Sequence, residues 1–353
     1  MAPIRRRRRR PRWPGSVRPM DVSCAFATSL ATPEHIALAE ELGYHRAWCY
    51  DSPALYPDVW MVLALAAERT SSIGLGPAVL VPSLRHPMVN AAAIATLAAA
   101  APGRVAVAIG AGFTGRMVLG QRPMRWSDVE AYVRVLRALL RGEDAEWEGH
   151  VLRMLHPDGF GATRPVDIPV LIGADGPKGL AVAGQLGDGV FSAMIPTQSD
   201  AAWRALLTVG TVLDEGEDPS SPRVLEAAGP ALAVVYHGMY ERGGAEAADA
   251  LPGGQAWRAA IEAVPERERH LAIHEGHLVE ANVRDRPAVE AGSSLLPAFT
   301  TTGTAAEVRE RVTGLAEAGV TEIAYQPAGP DIPRELAAFA AATSGLDDGV
   351  GRG

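Results

Sequence analysis

The sequence predicts an α/β protein, a (β/α)8 TIM barrel with a long helical insertion after the seventh strand. Three observations carry this. Eight short apolar runs alternate with helical stretches along nearly the whole chain. The runs are apolar on both faces, as strands of a parallel sheet covered by helices must be. Their number favours closure into a barrel over an open sheet.

The elements follow in order. Val22 to Thr28 is apolar and β-prone, and Thr32-Pro33-Glu34 opens a helix that Gly43 ends. Arg46 to Tyr50 is the second strand and Pro57 to Arg69 its helix. Ile73 to Val81 and Pro87 to Ala101 form the third pair. Val105 to Ile109 is the fourth strand, and its helix runs from Ser127 to Leu140, with Ser127 as cap. Trp147 to Met154 alternates like a small hairpin. Ile168 to Ile172 and Pro177 to Leu186 are the fifth pair; Gly189 to Ala193 and a helix from Ser199 to Leu213 are the sixth. Ala231 to Tyr236 reads as the seventh strand, followed by an insertion over about 237–303. Glu322 to Tyr325 is the eighth strand, flanked by helices Thr304 to Ala318 and Ile332 to Ala341.

The ends differ from this body. Residues 1–19 hold the run Arg5 to Arg10 among prolines and are expected to be a disordered arginine-rich tail, with Met20 as a natural start. The barrel domain is expected over 20–343 and a flexible end over 344–353. Lacking the eight arginines of the tail, the chain carries 25 basic against 41 acidic residues, and the net charge moves from −8 to −16. So acidic a body makes nucleic acid an unsuitable partner. No apolar stretch is long enough for a bilayer, and Cys24 and Cys49 offer neither a disulfide framework nor metal spacing, which suits the cytoplasm. The expected partners are a small-molecule substrate and a second copy of the chain in a homodimer.

Gly110, Gly112 and Gly115 have the spacing G-x-G-x-x-G of dinucleotide-binding loops. Gly120 and Pro123 break the helix that should follow, and no acidic strand end lies at the required distance. These glycines are read instead as lining the barrel mouth, where the absence of side chains lets a flat ligand lie against backbone.

Lys178 is the one lysine among 33 basic residues, and it stands where the fifth strand turns into a helix, after Asp175, Gly176 and Pro177. A cation there opposes the helix macrodipole. Free amides, a permissive glycine and a cation together suit a phosphate group.

His270, His274 and His277 are spaced i, i+4, i+7 within the insertion. One helical face would bring the three imidazoles together. The order H-E-x-x-H is absent and Gly276 weakens the helix, so no metal is assigned. Since the insertion should cover the mouth, and histidine titrates near neutral pH, the stripe is the candidate for substrate contact or proton donation.

Taken together, these residues resemble the luciferase-like flavin and deazaflavin oxidoreductases, which are (β/α)8 barrels. The resemblance runs from about Asp21 to Ala341. It rests on Ala39 to Tyr44, Asp51 ending the second strand, Gly74 to Pro87, Pro102 to Arg104, Gly110 to Arg116, Ile168 to Val170, Asp175 to Pro177, and Gly187 to Gly189. The family implies a cofactor ring on the barrel mouth, in contact with Gly110 and Gly112, and a non-prolyl cis peptide behind it, which falls on Ala78-Val79. It places the cofactor phosphate on Asp175, Gly176, Pro177 and Lys178, Asp51 at the ring end or linker, and Arg85 or Arg116 on an acidic cofactor tail. Deazaflavin-dependent sugar-phosphate dehydrogenases of the family carry His and Glu where this chain has Ser52 and Phe113. The implied activity is therefore hydride transfer between coenzyme F-420 and another small organic substrate, in the direction of reduction. An FMN-dependent monooxygenase and a non-catalytic cofactor-binding barrel are the alternatives.

Overall fold

The computed structural model describes residues 20–346. The arginine-rich 1–19 and the last part of 344–353, from 347 on, lie outside the described residues.

Eight parallel strands surround a packed interior: β1 (Asp21–Phe26), β2 (Arg46–Cys49), β3 (Gly74–Pro77), β4 (Val107–Gly110), β5 (Val170–Gly173), β6 (Gly189–Ala193), β7 (Arg204–Val209) and β8 (Glu322–Gln326). Hydrogen bonding runs β3-β2-β1-β8-β7-β6-β5-β4. Bridges Leu75–Val105 and Leu80–Ile109 join β3 to β4 and close the barrel. Aliphatic side chains on the outer face of the strands pack against the helices, while Trp48, Ala106, Ala108, Leu171 and Phe191 fill the interior. At its base Glu322, fully buried, accepts hydrogen bonds from the indoles of Trp48 and Trp203 at 2.8 and 2.5 Å. Arg46 lies over both rings, so this buried carboxylate is solvated by side chains. Cys24 and Cys49 are buried and free.

Two elements differ from expectation. The seventh strand is Arg204–Val209, inside the stretch read as the sixth helix, and Ala231 to Tyr236 lies within a helix over Pro222–Asp249, broken at Gly244. Alanine and leucine at 205–207 suggested a helix, but burial on both faces between β6 and β8 decides for a strand. Ala231 to Tyr236 is apolar throughout because this part of the helix is buried or half-buried on every face, and short apolar runs of the two kinds look alike. The insertion therefore begins right after β7 and runs over 210–303. It has its own core, in which Val224, Leu232, Tyr236, Trp257 and Val289 pack together. Smaller shifts occur as well: the helix after β4 begins at Trp126 rather than with Ser127 as its cap. The hairpin is Ala145–Trp147 with His150–Leu152.

The β3–β4 seam is irregular. Between its two bridges β3 advances five residues while β4 advances four, which is a bulge. The Ala78-Val79 peptide in the bulge is cis. Val79 projects across the barrel, and two glycines make room for it. A Cβ at Gly173 would lie 2.4 Å from Val79 Cγ1, and one at Gly110 would lie 3.0 Å from Val79 Cγ2. The strands approach so closely that a Cβ at Gly76 would come within 1.8 Å of the Ala106 carbonyl oxygen.

Gly173→Ala should therefore separate Val79 from β5, at a cost of about 1–3 kcal/mol from overpacking. Val79→Ala in the same chain should recover most of that loss, as a double-mutant cycle of melting curves would show. A second prediction concerns Glu40, whose carboxylate accepts from the amides of Ser71, Ser72 and Ile73 and from the Ser72 hydroxyl, holding the turn into β3. Burial pushes this carboxyl up, but the hydrogen bonds outweigh it and hold the group down at about 2. A depressed folded value stabilises above the unfolded pKa and is lost as pH falls through the folded one. Glu40→Ala should thus cost about 1–2 kcal/mol at neutral pH. The gap to the parent should close between roughly pH 4.5 and 2 in chemical unfolding curves.

Candidate active site at the mouth of the barrel

A cavity of about 430 Å³ opens at the carboxyl ends of the strands, the face on which barrel enzymes place their chemistry. Its apolar wall comes from the bulge and from strand ends, with Ala78, Val79, Phe191 and Leu207. All three glycines of the G-x-G-x-x-G spacing line it. Space at Gly112 is taken by Val81, whose Cγ1 would be 2.3 Å from a Cβ there, and φ at Gly112 is +76°. The glycines thus accommodate Val79 and Val81 as well as any ligand.

Asp51 lines the cavity at the end of β2, where it is buried and bonded to Arg85 at 2.6 Å, with the Val81 amide at 3.3 Å. Burial pushes its carboxyl above the usual aspartate range, and the guanidinium works against that push. Arg85 also binds Asp58, which caps the next helix. Arg116, outside the cavity wall, donates to the Ser83 hydroxyl and to the Arg122 carbonyl oxygen. Both arginines named for an acidic cofactor tail are therefore engaged within the chain. Arg242, over the Phe113 ring at 5.4 Å and close enough to Asp175 to favour its charge, is the exposed cation the sequence did not single out.

Across the mouth, Asp175 and Gly176 line the cavity and lead into the helix Pro177–Leu186. No side chain caps this helix; Pro177 has no N–H and Leu180 donates to the Gly176 carbonyl oxygen, so the amides of Lys178 and Gly179 remain available. Lys178 is exposed and makes no ion pair or hydrogen bond with a described residue. Pro177 and Lys178 stand just behind the wall, and Asp175 Oδ1 accepts from the Ala193 amide at 3.3 Å. Burial raises the Asp175 carboxyl.

The histidines do not share one helical face. The helix Arg269–His274 stops at His274, and Gly276, with φ +73°, turns the chain so that His277 points back. His277 lines the cavity, with Nε2 3.4 Å from Thr114 Oγ1. Burial, and then the neighbouring His237 and His274, hold its imidazole well below the usual histidine range, so it is neutral. His274 is buried behind it, whereas His270 sits over Gly120, away from the cavity wall. In place of His270 the structure brings in His237 from the long helix. Sequence reasoning missed His237 because it lies 37 positions from His274, behind a run taken for a strand. Two hydrogen bonds seat this part of the insertion on the barrel: Tyr56 Oη donates to the His277 carbonyl oxygen at 2.5 Å, and Gln326 Nε2 to that of Leu278 at 2.8 Å. Tyr50 Oη holds Gln326 at 2.6 Å. No helix among the described residues is long and apolar enough to cross a membrane.

The chain is similar to several known proteins. It is 28% identical over 334 residues to 5,10-methylenetetrahydromethanopterin reductase of Archaeoglobus fulgidus, covering 86% of this chain and 91% of that one. It is 34% identical over 157 residues to F-420-dependent glucose-6-phosphate dehydrogenase of Nakamurella multipartita, covering 42% of this chain and 44% of the relative. Its fold matches the coenzyme F-420-dependent tetrahydromethanopterin reductase of Methanopyrus kandleri with a TM-score of 0.63 at 22% identity, over 91% of this chain and 97% of the other. Residues 27–322 match the family described as luciferase-like monooxygenase, and with that span, barrel and cavity the chain belongs to the luciferase-like family.

Proposed function

We propose that the chain is an oxidoreductase of the cytoplasm that uses coenzyme F-420 to pass a hydride to a small organic substrate, acting as a reductase. The observation that carries the reading is the cavity itself. An apolar floor at Val79 faces a rim made of an uncapped helix start with a free lysine. A flat ring with a phosphate on its side chain has the shape and charge for such a site. The relatives that use F-420 support deazaflavin over flavin.

When bound, the deazaflavin supplies a hydride from a carbon that replaces flavin N5, and its reduced form does not react usefully with oxygen. The chain's own residues do the rest. Val79, held between Gly110 and Gly173, supports the ring from behind, while the amides after Gly176 and Pro177 and the Lys178 ammonium take the phosphate. Asp51, oriented by Arg85, meets the ring end or its linker. His277 and Thr114 face the remaining space. The His277 imidazole N–H would donate to a substrate heteroatom held in that space and could hand over the proton there. Ser52 and Phe113, both on the cavity wall, cannot act as the base and acid that a sugar phosphate would need.

Side-by-side titration by fluorescence quenching should show F-420 binding at least tenfold more tightly than FMN, a difference of about 1.4 kcal/mol. Tighter FMN binding with oxygen-dependent oxidation of the reduced flavin would make the chain a monooxygenase, and binding without turnover a cofactor carrier. Lys178→Ala should weaken F-420 binding about ten- to hundredfold through loss of a charge-assisted contact. Its melting temperature should hold, because a lysine contributes nothing to a helix N-terminus. Unchanged affinity with reduced stability would put the phosphate elsewhere.

A further inference from the structure

His237, from the long helix, and His274 and His277, from either side of the Gly276 turn, converge in the insertion, all buried, with one nitrogen of each ring within 4.8 Å of the others. The remaining nitrogens meet acceptors around the rim of this cluster. His237 Nε2 is 3.1 Å from Asp285 Oδ1. That carboxylate also accepts from Trp257 Nε1 at 2.8 Å and Asn282 Nδ2 at 2.7 Å. His274 Nε2 lies 3.0 Å from Glu241 Oε1 without hydrogen-bond alignment, and His277 Nε2 faces Thr114. What these contacts leave over is unusual. His237 Nδ1 is buried with no partner, and Nδ1 of His274 and His277 face each other at 3.5 Å. Buried polar nitrogens are rarely left in such a state.

Charge points the same way. Asp285 is buried and Glu241 partly so, at 1% and 9% side-chain exposure, and neither pairs with an arginine or lysine among the described residues. Two carboxylates thus stand at the cluster with no arginine or lysine among the described residues to balance them, an arrangement that burial disfavours. A divalent ion at the centre would balance both.

We propose that His237, His274 and His277 bind one divalent transition-metal cation, zinc above all, with Asp285 and Glu241 as the outer carboxylates that orient two of the ligands. Imidazole donors select zinc and its neighbours over magnesium or calcium. Nitrogens bound to a tetrahedral zinc at about 2.0–2.1 Å stand about 3.4 Å apart, close to the spacing of His274 and His277. Carboxylates behind the ligating histidines are the usual outer shell of such sites. The sequence did not reveal this site because His237 and both carboxylates lie outside the histidine stripe. A metal on Nδ1 of His277 leaves its Nε2–H directed at Thr114 and the cavity, and it ties the long helix to the segment that covers the mouth. The site stands on these residues alone, whatever cofactor the barrel takes.

The test uses the full chain, stripped by a chelator and free of F-420. Zinc titrated against a chromophoric chelator should bind at one equivalent per chain and raise the melting temperature. Cobalt(II) should give the visible ligand-field bands of a tetrahedral ion. His237→Ala and His274→Ala should abolish both signals, and Asp285→Asn should weaken zinc about ten- to hundredfold at unchanged stoichiometry. His150→Ala, at an exposed site in the hairpin, should change nothing. The proposal fails if the parent holds zinc no more tightly than His274→Ala does, or if the cobalt bands survive in that variant. Should the variants misfold, the parent decides: absence of tetrahedral cobalt bands and of any zinc-dependent rise in melting temperature would leave a bare imidazole cluster.

Discussion

The seam between β3 and β4 is the constraint on which the site depends. A barrel of eight strands must close, and here the last pair meets at two bridges only, with an extra residue on one side between them. That residue has to go somewhere. It pushes Val79 inward, and the neighbouring strands yield by carrying glycine at 110 and 173. Closure and cavity floor are thus one packing problem. Interiors packed at crystal density transmit a misfit of one methyl group to their neighbours, so the three positions act as a unit.

Strand ends and barrel loops supply nearly all of the cavity wall. The insertion after β7, which has a separate hydrophobic core, adds His277 and Leu278. Docking is polar and specific. Tyr56 and Gln326 donate to consecutive carbonyl groups at 277 and 278, which sets the height at which His277 looks into the cavity. The turn at Gly276 makes this possible, since a left-handed backbone there reverses the chain within one residue of the helix end.

Electrostatics divides the mouth into engaged and free charges. Arg85 and Arg116 are engaged by neighbouring residues, and Asp51 is oriented by Arg85 rather than by solvent. Lys178 and Arg242 remain exposed.

By itself the sequence determined what local rules can reach. Alternating apolar runs and helices, and their number, announced a closed barrel. Gly110 and Gly112 marked the mouth because no side chain fits there, and the one lysine stood out at a helix start where its charge is misplaced. Tertiary structure alone decided what depends on distant partners. Arg204–Val209 became a strand, and Ala231 to Tyr236 part of a helix, because burial on all sides erases the periodicity that separates the two. His237 joined His274 and His277, and His270 did not, because the helix ended at His274 and packing against the long helix chose the third ring. Periodicity reports only on neighbours within a turn or two of chain, whereas a site is assembled from side chains whose proximity follows from how whole elements pack.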